Sequence, residues 1–450
     1  MRKLLLIILL CGLSAKATFA QGNADTTFNR AKMDSLFEVL QANNKAMMSI
    51  AISKNGQLIY SKAIGYSEIG ATQKTPANPK TRYRVGSITK IFTGAMIFQL
   101  IEEGKLKLTT SLADYFPTVP NADKINIGQM LNHSSGIFNF TNDTTYTSKL
   151  SKKTTQAEML ASFKAAKPVF EPGTKHEYSN TNFILLGFII EKLDKKTYAA
   201  ALKSRITDKI GLKDTYYGGK INPSANEAMS YNWQGSWQPD TETDMSIPGG
   251  AGAIVSTATD LTSFMNALFA GKLVKETSLK TMKTITGGYG MPLFSFPFYE
   301  RTTYGHNGGI DGFRSQTAYF PEDKVAFAYL ANGVNTNLND VAIGFLSILF
   351  NKPYVISTSP FTSSALVLKT EDLDPYLGTY ATAQLPIKIT ITKKDAVLMG
   401  QATGQPAFPL EAVKVNEFKF AAAGVVLIFD PAKKEMTLQQ GGGTFVMKKE

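Results

Sequence analysis

The hydrophobic pattern of this 450-residue chain changes character once, and that change limits the folds open to it. Through residue 350, strand-like and helix-like runs are mixed. Beyond Leu373 the apolar residues come only in short runs: Ile387 to Thr392, Phe418 to Phe420, Val425 to Phe429, Met436 to Leu438 and Phe445 to Met447, with turn residues between them. Runs of this length, punctuated in this way, mark strands. Residues 369–450 are therefore predicted to form a small all-β barrel or sandwich. Residues 351–368, with Pro353, Pro360 and several Ser and Thr, read as a linker.

The preceding part, 21–350, reads as one larger mixed domain. Met33, Leu36, Phe37 and Leu40 predict a helix over 30–43. Met47–Ser53 and Gln57–Ile64 predict a hairpin, because Asn55-Gly56 suits the positive φ of a tight turn. Further helices are predicted over 87–103, closed by Gly104, and over Asn182–Leu193 and 338–350. Strands are expected at 315–320 and 325–331. Gly249 to Gly252 reads as a flexible loop, and Thr257 to Asp260 as a capping box opening a helix through Leu268.

Residues 1–20 stand apart. Arg2 and Lys3 precede an apolar run from Leu4 to Leu13, and Thr18-Phe19-Ala20 offers small residues where a signal peptidase reads, so cleavage is expected after Ala20. The run is short for a membrane span. Export, to a periplasm or beyond the cell, and no stable membrane insertion are the expectations. Cys11, the single cysteine, falls within this segment; a lipid-attachment cysteine would want a smaller residue than Leu10 before it. The net charge of +12 is carried by dispersed lysines with polar neighbours, which argues for a solvated surface and against nucleic-acid binding.

A serine hydroxyl is a weak nucleophile at neutral pH until another group takes its proton. The chain has three histidines, His133, His176 and His306, and no Gly-x-Ser-x-Gly elbow, which leaves a Ser-His-Asp triad open but poorly supported. His133 reads as a buried hydrogen-bonding residue and His176 as a surface one. Ser87-Ile88-Thr89-Lys90 offers another route. At a helix start, i and i+3 share a face, so Lys90 can reach the Ser87 oxygen, and burial depresses a lysine pKa toward that of a base. Taken alone, the same four residues also read as a helix cap followed by a solvated lysine.

Two further motifs give that pair its meaning. Tyr178-Ser179-Asn180 is the one Tyr-x-Asn in the chain, and His306-Asn307-Gly308 is followed by Gly309. In this order the three resemble the serine β-lactamase and penicillin-binding-protein superfamily, for which Ser-x-x-Lys is a known signature. Their spacing is similar to that of its class C-like branch, as are Met130 to Ile137, Phe170 to Gly173 and Gly249 to Leu261. The resemblance spans residues 30–350. It implies an α/β (α+β) fold, with an antiparallel sheet flanked by helices and a helical subdomain, followed by the small C-terminal barrel.

The resemblance also implies roles. Ser87 attacks a carbonyl and is acylated, and Lys90 and Tyr178 share the proton work, with the tyrosine partly deprotonated between two cations. Asn180 binds Lys90 and the substrate amide. His306 lies on the edge strand beside Tyr178, with a pH-sensitive charge, and Gly308 lets the substrate backbone approach. The N–H groups of Ser87 and Gly309 form an oxyanion hole. No metal or cofactor is implied. Many β-lactamases carry lysine where His306 stands; histidine there resembles D-alanyl-D-alanine carboxypeptidases and D-aminopeptidases. A hydrolase of D-amino-acid peptides or amides, such as cell-wall peptides, is the leading expectation. A β-lactamase or broad esterase comes next, and a non-catalytic penicillin-binding sensor is the alternative of another class.

Overall fold

The computed structural model describes residues 28–354, 356, 368–385, 387–403, 407–420, 425–440 and 443–450. The predicted signal peptide with Cys11, and most of the predicted linker, lie outside the described residues. Helix α1 (Arg30–Ala42) buries the four predicted residues Met33, Leu36, Phe37 and Leu40, and Asn29 caps it by accepting from the Lys32 N–H. Strands β1 (Ala46–Lys54) and β2 (Gln57–Ile64) form the predicted hairpin, with φ of 53° at Asn55 and 78° at Gly56.

The helix expected over 87–103 divides into a 3₁₀ turn, Gly86–Ile88, and α2 (Thr89–Glu102). Every residue from Thr89 to Leu100 is buried, so α2 is a central helix and not one with a single apolar face. Around it stand α3 (Asn180–Asp194), the short α4 (Gly249–Gly252) and α5 (Ala258–Phe269). Phe92 of α2 stacks on Phe264 of α5 with ring centroids 3.7 Å apart. The expected flexible loop at 249–252 is thus a buried helical turn. A Cβ at Gly250 would lie 2.6 Å from the Phe183 carbonyl oxygen, so glycine serves close packing there. Thr257 caps α5 as predicted, accepting from the Asp260 N–H. The box is only half made, because the Asp260 carboxylate accepts instead from the Asp214 N–H and the Thr215 hydroxyl.

Strands β3 (Phe294–Phe298), β4 (Arg301–Ile310), β5 (Phe313–Phe320) and β6 (Val325–Val334) complete an antiparallel sheet in the order β3-β4-β5-β6-β1-β2. Two short strands, Tyr231–Trp233 and Trp237–Pro239, join beside β6 off this path. Both faces of the sheet are covered. Ala51, Ala326, Ala328 and Leu330 join the core around α2 and α5. Ile50, Ile52, Phe327 and Tyr329 join α1 and α6 (Leu338–Leu349) on the other side. Eight strands, the first Gly378–Ala381 and the last Gly443–Lys449, form a closed antiparallel barrel. Tyr380 and Ala381 of its first strand pair with Lys449 and Lys448 of its last, so the barrel has no open edge. The fold class is the expected one: a mixed α/β domain followed by an all-β barrel. Among the described residues, no helix is long and apolar enough to cross a membrane.

Candidate active site

The chain reaches Ser87 through a short buried strand, Tyr83–Arg84, and the 3₁₀ turn. Lys90 Nζ stands 2.9 Å from Ser87 Oγ, and the Tyr178 hydroxyl donates to the same oxygen at 2.8 Å. Lys90 has no exposed surface. Its nitrogen also donates to Asn180 Oδ1 and to the Ala251 carbonyl, both at 2.8 Å. Burial drives its pKa well below the ordinary lysine value. Two fixed acceptors use both hydrogens of a neutral amine and leave its lone pair for the Ser87 hydroxyl.

Tyr178 departs from expectation. Burial pushes its hydroxyl above the ordinary phenol range, although the bond to Ser87 works the other way. It therefore holds its proton and is not partly deprotonated between two cations. His133 fits the buried reading. It stacks on Tyr178 with centroids 4.5 Å apart, and its Nδ1 accepts from the Ser179 N–H at 3.1 Å. That bond fixes the backbone between Tyr178 and Asn180. His176 is half-buried, not a free surface residue; its Nδ1 lies 3.0 Å from the Asn132 carbonyl oxygen.

His306 is also corrected. It is 1% exposed, and burial, the largest cause, pushes its pKa down to about 3. It stays neutral across ordinary pH and carries no switchable charge for a substrate. Stability should follow. With the folded pKa below the unfolded value of about 6.5, only the unfolded state binds the proton between about 6.5 and about 3. Stability is therefore full above that window and is lost as pH falls through it, by up to about 1.4 kcal/mol per pH unit from this group. Urea unfolding at pH 7 and pH 5 should show a larger acid loss for the wild type than for His306→Gln.

Strand β4 is not the sheet edge along its whole length. β3 covers it from Arg301 to Gly305, where Phe294 ends the pairing. From His306 onward that side is open toward the Ser87 turn, and the Tyr178 and His306 rings lie 6.3 Å apart. A Cβ at Gly308 would lie 2.1 Å from the Val85 carbonyl oxygen and 3.0 Å from the Ser87 nitrogen. Gly308 thus makes room for the chain's own Ser87 turn and not for substrate. A Cβ at Gly86 would come within 2.8 Å of the Gly309 nitrogen, so the Ser87 turn and the Gly309 backbone abut.

A buried ion pair braces this junction. Arg84 Nη1 donates to Asp311 at 3.0 Å, with both side chains 2% exposed, and Nη2 donates to Glu242 at 2.7 Å. Asp311 also accepts from the Thr243 backbone and hydroxyl. Arg84 leads into the Ser87 turn and Asp311 follows β4, so the pair ties the serine to the strand facing it. Breaking such a pair from one side leaves a buried charge uncompensated.

Ser87 lies where two cavities meet. One, about 690 Å³, is walled by Phe140, Tyr146, Leu150, Asn180 and Asp240. The other, about 390 Å³, is walled by Tyr178, Tyr289, Phe294, His306 and Asn307. Among the described residues, no group of three or more His, Cys, Asp or Glu is placed to hold a metal.

All seven residues singled out from the sequence, Ser87, Lys90, Tyr178, Asn180, His306, Gly308 and Gly309, meet at this junction. Others were not foreseen. Asn139 Oδ1 accepts from the Asn180 backbone N–H at 3.0 Å and from its amide at 3.3 Å, which turns Asn180 Oδ1 toward Lys90. Ala251 lies in the Gly249 to Leu261 segment that resembles the family, but the carbonyl it contributes to Lys90 is not assigned by any motif. Tyr289, from a glycine-rich turn with no motif, lines the smaller cavity with its ring 5.3 Å from that of His133.

Residues 33–346 match the protein family described as Beta-lactamase. Penicillin-binding protein 4* of Bacillus subtilis (strain 168) is 25% identical over 445 residues, 92% of this chain and 97% of that protein. The solved D-amino acid amidase from Ochrobactrum anthropi SV3, complexed with L-phenylalanine amide, is similar with a TM-score of 0.63 and 25% identity, covering 71% of this chain and 99% of its own. The octameric penicillin-binding protein homologue from Pyrococcus abyssi shares the fold over 93% of this chain and 99% of its own, with a TM-score of 0.64 and 23% identity.

Proposed function

The chain belongs to the beta-lactamase family, and we propose that this member hydrolyses D-amino-acid-containing peptides or amides through an acyl-enzyme on Ser87. The observation that carries the reading is the double contact on Ser87 Oγ, from Lys90 Nζ at 2.9 Å and the Tyr178 hydroxyl at 2.8 Å. The similarity to a D-amino acid amidase supports the substrate class.

Neutral Lys90 takes the Ser87 proton as Oγ attacks the substrate carbonyl. The developing oxyanion turns to the N–H groups of Ser87 and Gly309. Tyr178, still protonated, gives its proton to the departing nitrogen, and the proton held by Lys90 restores it. Water then attacks the ester, releases the acid and returns a proton to Ser87. Asn180, held by Asn139, presents its amide to Lys90 and to the 690 Å³ cavity, where the acyl part of the substrate lies. The 390 Å³ cavity, on the Tyr178 side, takes the leaving group. Residues 1–20 support export, which brings such an enzyme to cell-wall peptides.

A second reading is acylation by β-lactams, favoured by the similarity to penicillin-binding protein 4*. The test is a panel of D-peptides, their L-counterparts, short acyl esters and a chromogenic cephalosporin. Turnover of D-peptides or D-amides above their L-counterparts supports the proposal. Rapid turnover of the cephalosporin alone contradicts it in favour of the second reading.

A further inference from the structure

A third cavity, of about 580 Å³, lies on the face of the sheet turned away from Ser87. Asn307, Gln316 and Tyr329 stand opposite one another on β4, β5 and β6, so their side chains project from one face. Ser315 projects from the other, where its hydroxyl donates to the Val85 carbonyl just ahead of Ser87. The start of α6, with Asn337, Leu338 and Asn339, forms a wall beside this row. Asn307 and Arg314, the latter opposite Gly309, stand where the cavity borders the smaller one at Ser87.

Its lining is dominated by primary amides. Asn232, Asn307, Gln316, Asn337 and Asn339 line it, and among the described residues no carboxylate and no lysine does. The side chains of Asn232, Asn307, Gln316 and Asn339 have no hydrogen-bond partner among the described residues. Asn337 is half engaged. Its Oδ1 caps α6 by accepting from the Asn339 N–H at 2.9 Å, while Nδ2 is buried without an acceptor among the described residues. A buried donor left unmatched is destabilising, and a ligand oxygen placed there removes the penalty.

This lining selects among ligand chemistries. A simple anion only accepts, so it leaves the amide oxygens unmatched, and an ammonium only donates. A hydroxyl does both, as a primary amide does. A sugar ring carries hydroxyls around its edge and C–H groups on its faces, and the rings of Phe296 and Tyr329 in the same lining suit those faces. The volume falls within the range of small-ligand sites, about 300–1,000 Å³.

We propose that this cavity binds a short neutral oligosaccharide, with Gln316 and Asn337 as central hydrogen-bonding partners. The site holds the protein on a saccharide polymer while Ser87 works on the other face of the sheet. It does not depend on which substrate Ser87 takes.

The test is calorimetric titration of the protein with the trimers of N-acetylglucosamine, of β-1,4-linked glucose and of α-1,4-linked glucose, with inorganic phosphate and acetate as anionic controls. The expected result is saturable binding of at least one trimer, one per chain, unchanged in Ser87→Ala. Asn337→Asp keeps the helix cap, because its carboxylate accepts from the same N–H, but it turns the buried donor into an acceptor. Gln316→Leu keeps the volume and removes the amide. Each should weaken binding by about 10-fold or more, the range of a hydrogen bond to an otherwise unmatched group, with the thermal midpoint close to that of the wild type. Binding of none of the trimers, binding that either variant keeps at full strength, or binding of phosphate or acetate alone overturns the inference.

Discussion

Ser87→Ala is expected to lower kcat by about 10⁴-fold or more on every substrate the protein turns over, because in the proposed mechanism it removes the atom that the acyl group joins. The variant keeps the surrounding structure. Lys90 still has Asn180 Oδ1 and the Ala251 carbonyl, and the Ser87 backbone N–H remains beside Gly308. The thermal midpoint should therefore stay close to that of the wild type. Rates on a D-peptide, read together with the melting curve, check this: activity lost with the fold intact is the expected outcome.

Lys90→Met is the second large effect. Methionine fills a similar volume and suits the neighbouring rings of Tyr178 and Phe183, whose centroids lie 4.9 and 5.6 Å from Nζ. What it removes, in the proposed mechanism, is the proton acceptor, with an expected loss of about 10²- to 10⁴-fold in kcat/KM. The pH profile separates this from a packing defect. Catalysis by a neutral amine is present above the lowered Lys90 pKa and declines as pH falls through it. Wild-type kcat/KM should therefore show an acid limb that the residual activity of Lys90→Met lacks. His306 should add no step between pH 5 and 8, since its pKa lies at about 3.

The candidate cluster was legible where its geometry is local. Ser87 and Lys90 meet because they are three residues apart at a helix start, and Tyr178 and Asn180 because they flank the start of α3. Contacts made through space were not legible. The Ala251 carbonyl that holds Lys90 comes from a segment 161 residues away, and its four residues, three of them glycine, read as a loop until their packing against α3 is seen. Asn139 orients Asn180 from 41 residues away and belongs to no motif. Burial was the other hidden quantity. The sequence shows a histidine at 306 and a tyrosine at 178, but their protonation depends on the walls around them, which several distant elements build. Arg314 was silent for the same reason, since only the β4–β5 register places it beside Gly309.

The fold divides in the same way. The Asn55-Gly56 turn announced the β1–β2 hairpin, whereas the partner on the other side of β1 is β6, with Ile50 opposite Tyr329. Both were read as strand-like runs, but not which pairs with which. In the C-terminal domain five of the eight strands were read and Gly378–Ala381, Val397–Ala402 and Phe408–Lys414 were not, while the choice between barrel and sandwich rested on the closing ladder, Tyr380 with Lys449 and Ala381 with Lys448.

The most direct test of the account is the mass of the protein quenched during turnover of an N-acyl-D-alanine ester, whose good leaving group speeds acylation so that the intermediate accumulates. The predicted result is one added acyl group on the peptide containing Ser87 in the wild type and none in Ser87→Ala. An acyl group on any other residue, its persistence in Ser87→Ala, or turnover with no adduct at any quench time would contradict it.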